Sequence, residues 1–106
     1  MNVLTLRLKA IYFHDIKSGA KPWEYRLATP YWRRRIENRR YDFVLLTLGY
    51  PARSNVDLQM LKPWRGYIEQ PLLHPHFGPF QVDVFAIDVT APTVPLEVLH
   101  RATTGT

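Results

Sequence analysis

Two short apolar runs, Phe43-Val44-Leu45-Leu46 and Val84-Phe85-Ala86-Ile87, constrain the fold more than any other feature of the chain. Neither alternates cleanly with polar residues, which is the pattern of a strand covered on both faces. Tyr41 to Leu48 is therefore predicted as the central strand, and Val82 to Val89 as a second buried strand. Other segments must supply their covering. Val3 to Lys9 sets Leu4, Leu6 and Leu8 against Thr5, Arg7 and Lys9, the period-2 pattern of a half-buried strand. Trp64 to Leu73 sets Trp64, Gly66 and Ile68 against Arg65, Tyr67 and Glu69 until Pro71 interrupts it.

Two stretches change to helical spacing. Ile11, Tyr12, Phe13, Ile16 and Ala20 mark an apolar side over a short helix near residues 10 to 18, and Gly19 suits its left-handed end. Thr29-Pro30 is a helix start, with threonine as N-cap and proline at the first helical position. A second helix follows to about Asn38, with Trp32 and Ile36 facing the core and Arg33 and Arg34 projecting outward. Between Gly49 and Pro63 the pattern is that of an irregular loop, and His74 to Pro79 is a turn or crossover. The fold class is thus α+β, with two or three short helices beside the strands.

A chain of 106 residues makes one domain with one core. The composition shifts after Thr90, so residues 1–90 are predicted as the domain and 91–106 as a tail, partly packed through Leu96, Val98 and Leu99 and frayed from Ala102 to Thr106. No apolar run is long enough to span a membrane, and Met1 to Arg7 lacks the regions of a secretory signal, so the expectation is a cytoplasmic protein with no membrane partner. The absence of cysteine excludes disulfides, thiolate ligands and thiol nucleophiles.

A net charge of +5 favours a polyanionic partner, and clustering strengthens the argument: Arg33, Arg34, Arg35, Arg39 and Arg40 share one segment. Arginine suits bidentate phosphate contact and base stacking better than lysine, although a solvated basic helix has the same composition. Aromatic residues stand among these cations, and Tyr50, Arg53, Trp64 and Arg65 lie at the two ends of the 49–63 segment. That mixture fits single-stranded nucleic acid, in which bases stack and phosphates pair; half of such rings in a small domain simply pack. His74 and His76 are too few to make a metal site, so neither metal nor cofactor is expected. There is no Gly-x-Ser-x-Gly elbow and no phosphate-cradling glycine loop.

The stretch from Ser18 to Leu27 brings charges of both signs together. Trp23, Tyr25 and Leu27 alternate with Glu24 and Arg26, so a strand at 22–27 places Glu24 and Arg26 on one face about 6.5 Å apart, with Lys21 at its mouth. These groups either form a structural ion pair beside a solvated lysine or share a polar ligand. Glu24 or Glu69 near Lys21 in a partly buried cleft would also be equipped for proton transfer.

Gly19-Ala20-Lys21-Pro22-Trp23-Glu24-Tyr25-Arg26 resembles the Gly-x-Lys-x-x-Glu-x-Arg signature of ASCH domains, the activating signal cointegrator homology group within the PUA-like superfamily. Tyr12 to Ser18, Thr29-Pro30-Tyr31-Trp32 and Val84 to Ile87 are similar to other segments of that family, so the resemblance spans most of residues 3 to 89. It implies a small β-barrel flanked by helices, with a cleft for RNA or a nucleotide beside the signature. Functions vary across the family and include coactivator or RNA-binding modules, ribonucleases and a small bacterial group that deacetylates N4-acetylcytidine with the signature lysine, a threonine three residues on and a glutamate. Lys21 matches that pattern, but Glu24 occupies the threonine position, so the hydroxyl nucleophile is missing. The expectation is accordingly an RNA- or nucleotide-binding domain. Lys21, Glu24 and Arg26 would line the cleft, Arg33, Arg34 and Arg53 would hold the phosphate backbone, Tyr50 or Trp64 would stack, and Arg65 would also touch the ligand. The alternative is a metal-independent enzyme on RNA or a modified nucleoside, with Lys21 and Glu24 as its catalytic groups. A protein-interaction module is the third class.

Overall fold

A computed structural model describes residues 1–99. In chain order the elements are β1 (Val3–Leu8), α1 (Ala10–Ser18), β2 (Trp23–Leu27), α2 (Pro30–Ile36), β3 (Phe43–Leu48), β4 (Gln59–Pro63), β5 (Tyr67–Leu72) and β6 (Val82–Asp88). Short 3₁₀ turns at Val56–Leu58 and Pro75–Phe77 precede β4 and β6. The strands form two three-stranded sheets, β1-β3-β4 and β2-β6-β5. The fold is therefore α+β.

Each apolar run forms the middle strand of its sheet. β3 pairs with β1 in parallel, Leu4 opposite Val44 and Leu6 opposite Leu46, and with β4 in antiparallel fashion. β6 lies antiparallel to both β2 and β5. Val84, Phe85, Ala86 and Ile87 are all fully buried, as a strand covered on both faces requires. In β3 the burial alternates more: Val44 and Leu46 are buried, whereas Phe43 and Leu45 are half-covered. Leu4, Leu6, Phe13, Ile16, Ile36, Met60 and Val89 complete a core shared by both sheets and both helices.

Gly19 closes α1 in the left-handed conformation at φ 86°, its N–H donating to the Ile16 carbonyl. Phe13 and Ile16 are buried, but Ile11 is 63% exposed and Ala20 is also exposed, so neither belongs to the packed side. At about 100° per residue Ile11 lies roughly 200° from Phe13, on the far side of so short a helix. In α2 the Thr29 hydroxyl accepts from the Trp32 N–H and Pro30 opens the first turn. The helix ends at Ile36, two residues before Asn38, which takes a positive φ of 57° and turns the chain away.

Two further expectations change. The segment from Gly49 to Pro63 is not irregular throughout, because Gln59–Pro63 pairs with β3 and buries Met60, Leu61 and Lys62. Three consecutive buried residues, one of them lysine, give neither a strand's alternation nor an apolar run, so the local pattern hides this strand. Pro71 does not interrupt β5: it sits within the strand opposite Asp83. β5 borders only β6, and an edge strand tolerates a proline that cannot donate. Along the strand Tyr67 packs against Phe85 while Ile68 is 48% exposed.

Residues after Thr90 return to the first sheet. Val94 forms an antiparallel bridge with Leu61, and the buried Lys62 ammonium donates to the Ala91 carbonyl at 2.7 Å. Leu96, Val98 and Leu99 are partly buried. The fraying expected for Ala102 to Thr106 lies outside the described residues.

Candidate functional site

The two ladders stop at β1 on one side and at β2 on the other, since β1 bonds only to β3 and β2 only to β6. Arg26 spans the seam between them, its guanidinium donating to the Arg7 carbonyl at 2.8 Å. The same guanidinium also binds the Glu24 carboxylate. Lys21 reaches Glu24 from the opposite side, with its Nζ 3.4 Å from Oε1, and donates to the Trp23 carbonyl. Glu24 is only 3% exposed and is held between two cations. A buried carboxylate needs such partners, and here they leave the cluster with a surplus of positive charge.

Local structure fixes each group. The left-handed turn at Gly19 brings the Lys21 N–H to the Asp15 carbonyl at 3.0 Å, and the Pro22 carbonyl accepts from the Val89 N–H at 3.1 Å. Lys21 is thus docked on the end of α1, and the start of β2 is tied to the end of β6. The Lys21 ammonium lies 4.4 Å from the Tyr25 ring centre and 5.6 Å from that of Tyr12, within cation–π range.

Tyr12, Tyr25, His74, His76 and Phe77 wall a recess above these charges. The rings meet mostly edge to face, with Tyr12 and His76 at 5.5 Å and His76 and Phe77 at 5.0 Å. The 3₁₀ turn orients the histidines: the His76 backbone N–H donates to His74 Nδ1 at 3.1 Å, so a neutral His74 carries its proton on Nε2. Desolvation lowers the His76 pKa below its ordinary 6.5, and the positive charge of Lys9 and Arg26 adds to this against the opposing pull of Glu24. His76 is therefore a neutral imidazole at pH 7. Among the described residues no third histidine or carboxylate joins the pair in a ligand set.

The recess is small, about 30 Å³, enough for a water or a single polar substituent. It opens through Tyr12, Glu24, Tyr25, Arg26, His76 and Phe77 into a groove of about 610 Å³, within the size range of small-molecule sites. The groove follows the seam. Thr5, Arg7 and Leu8 come from β1, Leu27 from β2, Tyr31, Trp32 and Arg35 from α2, and Tyr50 from the loop after β3. Five cations, Arg7, Lys9, Lys21, Arg26 and Arg35, line the two spaces, and Glu24 is the one carboxylate among the lining residues.

The residues singled out from the sequence divide accordingly. Lys21, Glu24 and Arg26 converge, and Tyr50 joins them in the groove with the Arg7 guanidinium 4.3 Å from its ring centre. Arg33 lies elsewhere, making two hydrogen bonds to Glu69 at 2.7 and 3.0 Å and one to Glu37 at 2.6 Å. Its pKa is raised chiefly by Glu69, whose own pKa it lowers. Arg34 and Arg53 are exposed outside the groove lining. Trp64 packs on Tyr41 at 5.2 Å, and Arg65 donates to the Thr90 hydroxyl.

Arg7, Lys9, Trp32 and Arg35 do not stand out in the sequence as groove residues. Arg7 and Lys9 occupy the polar side of a half-buried strand, and Arg35 is one arginine in a run. Only the approach of β1, β2 and α2 separates them from their neighbours. Comparison with protein-family models, curated proteins and solved structures finds no match to the chain.

Proposed function

We propose that the chain is an RNA- or nucleotide-binding domain of the ASCH, PUA-like kind, its two sheets being the halves of the small barrel implied by the resemblance, and that it works in the cytoplasm. The observation that carries this reading is the convergence of Lys21, Glu24 and Arg26 beneath five rings, at the head of a groove lined with cations. A base placed against Tyr12, Tyr25 or Phe77 meets an ammonium and a carboxylate side by side. Lys21 donates to the Trp23 carbonyl and pairs with Glu24 at 3.4 Å, and its ammonium has donors beyond that hydrogen bond for a ligand acceptor. Glu24 has lone pairs beyond those its two cations occupy, so an exocyclic amine can also be held there. Phosphates would lie along Arg7, Lys9 and Arg35.

Calorimetric titration with nucleoside monophosphates and single-stranded RNA tests the proposal. Binding that weakens at least tenfold in Lys21→Ala, with the variant's circular dichroism unchanged, is the expected result. Absence of binding to every nucleotide and RNA at low salt overturns it.

A second reading, a metal-independent enzyme on RNA or a modified nucleoside, is favoured by the neutral His76 imidazole at the rim above Lys21. His76 would accept a proton while Lys21 stabilises developing negative charge. No hydroxyl stands at position 24 to act as nucleophile. Product formed in the presence of a chelator and lost in both His76→Ala and Lys21→Ala is the signature of this chemistry.

A further inference from the structure

We infer that the ligand of this groove is an unpaired polynucleotide strand of at least two nucleotides, held by two arginine-backed aromatic platforms, Tyr50 and the Tyr31–Trp32 pair, rather than a free nucleotide. The inference rests on the nucleotide-binding reading and extends it to the chemical class of the ligand. Three aromatic rings in the groove each carry a guanidinium: Arg7 lies 4.3 Å from the centre of Tyr50, Arg35 lies 4.7 Å from that of Tyr31 and Arg26 lies 5.3 Å from that of Trp32. Tyr50 is 84% exposed and Tyr31 49%, so these two rings are not held by burial. A guanidinium over the ring steadies each of them and brings positive charge beside it. Base–aromatic stacking beside a cation that can meet the neighbouring phosphate is the repeating unit of single-strand recognition.

The dimensions agree. A recess of about 30 Å³ admits a substituent but no ring, so the body of the ligand must lie in the groove of about 610 Å³. A single base can stack on Tyr50 or on the Tyr31–Trp32 pair, whose rings meet edge to face at 5.0 Å, and leaves the other platform unused. Charge selects a polyanion, because Arg7, Lys9 and Arg35 have no carboxylate partner among the groove residues and Glu24 is already matched by Lys21 and Arg26. The stacked pairs of a duplex present no free base faces to such rings, whereas the bases of a single strand do.

Fluorescence anisotropy with labelled uridine monophosphate, tri-uridylate, hexa-uridylate and an RNA duplex tests this on the whole chain. Affinity is expected to rise about tenfold or more from the mononucleotide to the trimer and to exceed that for the duplex. Tyr50→Ala and Tyr31→Ala are each expected to weaken the trimer about tenfold, with Tyr50→Phe and Tyr31→Phe retaining it. Equal affinity for mononucleotide and hexamer, or duplex binding as tight as that of the hexamer, overturns the strand inference and leaves the nucleotide site standing. No binding of any probe overturns both.

Discussion

The seam cluster Lys21–Glu24–Arg26 and the flank cluster Glu37–Arg33–Glu69 are inverse arrangements of the same chemistry. At the seam a carboxylate lies between two cations, almost fully buried, beneath aromatic rings and at the head of a groove. On the flank a guanidinium lies between two carboxylates, and all three side chains remain more than a third exposed. Both clusters tie a helix or loop to the second sheet. They differ in which sign is in excess and in whether water reaches the charges. Burial makes the seam cluster costly to leave unpaired and gives its remaining donors value to a ligand, whereas solvent screens the flank cluster.

The largest expected effect comes from removing the central charge of the seam. Glu24→Ala leaves Lys21 and Arg26 as adjacent unpaired cations in a desolvated site, and urea denaturation should report a loss of roughly 3–5 kcal/mol. The matching change on the flank, Arg33→Ala, should shift the urea midpoint far less, and high salt should erase part of that shift. Equal losses would break the comparison.

Binding sharpens it next. Replacing both Arg7 and Arg35 by alanine should flatten the dependence of RNA affinity on salt by roughly 0.7 log units per decade for each phosphate that is no longer neutralised. Replacing Arg33 and Arg34 should leave that slope nearly unchanged, because Arg33 is committed to two carboxylates and neither residue lines the groove. A flattened slope in the second variant would move the phosphate path from the seam to the flank.

Smaller effects appear in pH dependence. Burial lowers the Lys62 pKa below 10.5, so the native state binds fewer protons than the unfolded chain between the two values, and this contribution to stability rises with pH there. Thermal melts of wild type relative to Lys62→Met should therefore shift in favour of wild type as the solution becomes alkaline. Glu69 has the same sign in an acid window. Arg33 lowers its pKa below 4.5, so its contribution is present above that value and is lost as pH falls through the folded pKa. Acid melts of wild type against Glu69→Gln should show this as the smallest of the differences, reduced further by salt.

Much of the fold was legible locally. The apolar runs mark β3 and β6, the alternation of Leu4, Leu6 and Leu8 marks β1, and Gly19 and Thr29-Pro30 bound the helices. β4 was not legible, because Met60, Leu61 and Lys62 are all buried for different reasons: two pack, and the third reaches the Ala91 carbonyl. Its identity as a strand comes from the partners on its two sides, β3 and Val94. In the candidate site the alternation across Glu24 and Arg26 was readable from β2 alone. The roles of Arg7, Arg35 and Tyr31 were not.

The sequence by itself determined that β1, β2, β3 and β6 are extended and where both helices start, and that Lys21, Glu24 and Arg26 stand near one another, because these follow from backbone periodicity over a few residues. Only the tertiary structure decided which of ten arginines share that neighbourhood. Arg33 and Arg35 lie two apart on one helix, yet one is drawn to Glu69 of β5 and the other lines the groove. A helix turns about 100° per residue, so neighbours in sequence face different surfaces, and which surface meets the seam depends on how α2 docks against the sheets. Position in the folded field of charge and solvent, rather than residue type, separates the groove from the flank.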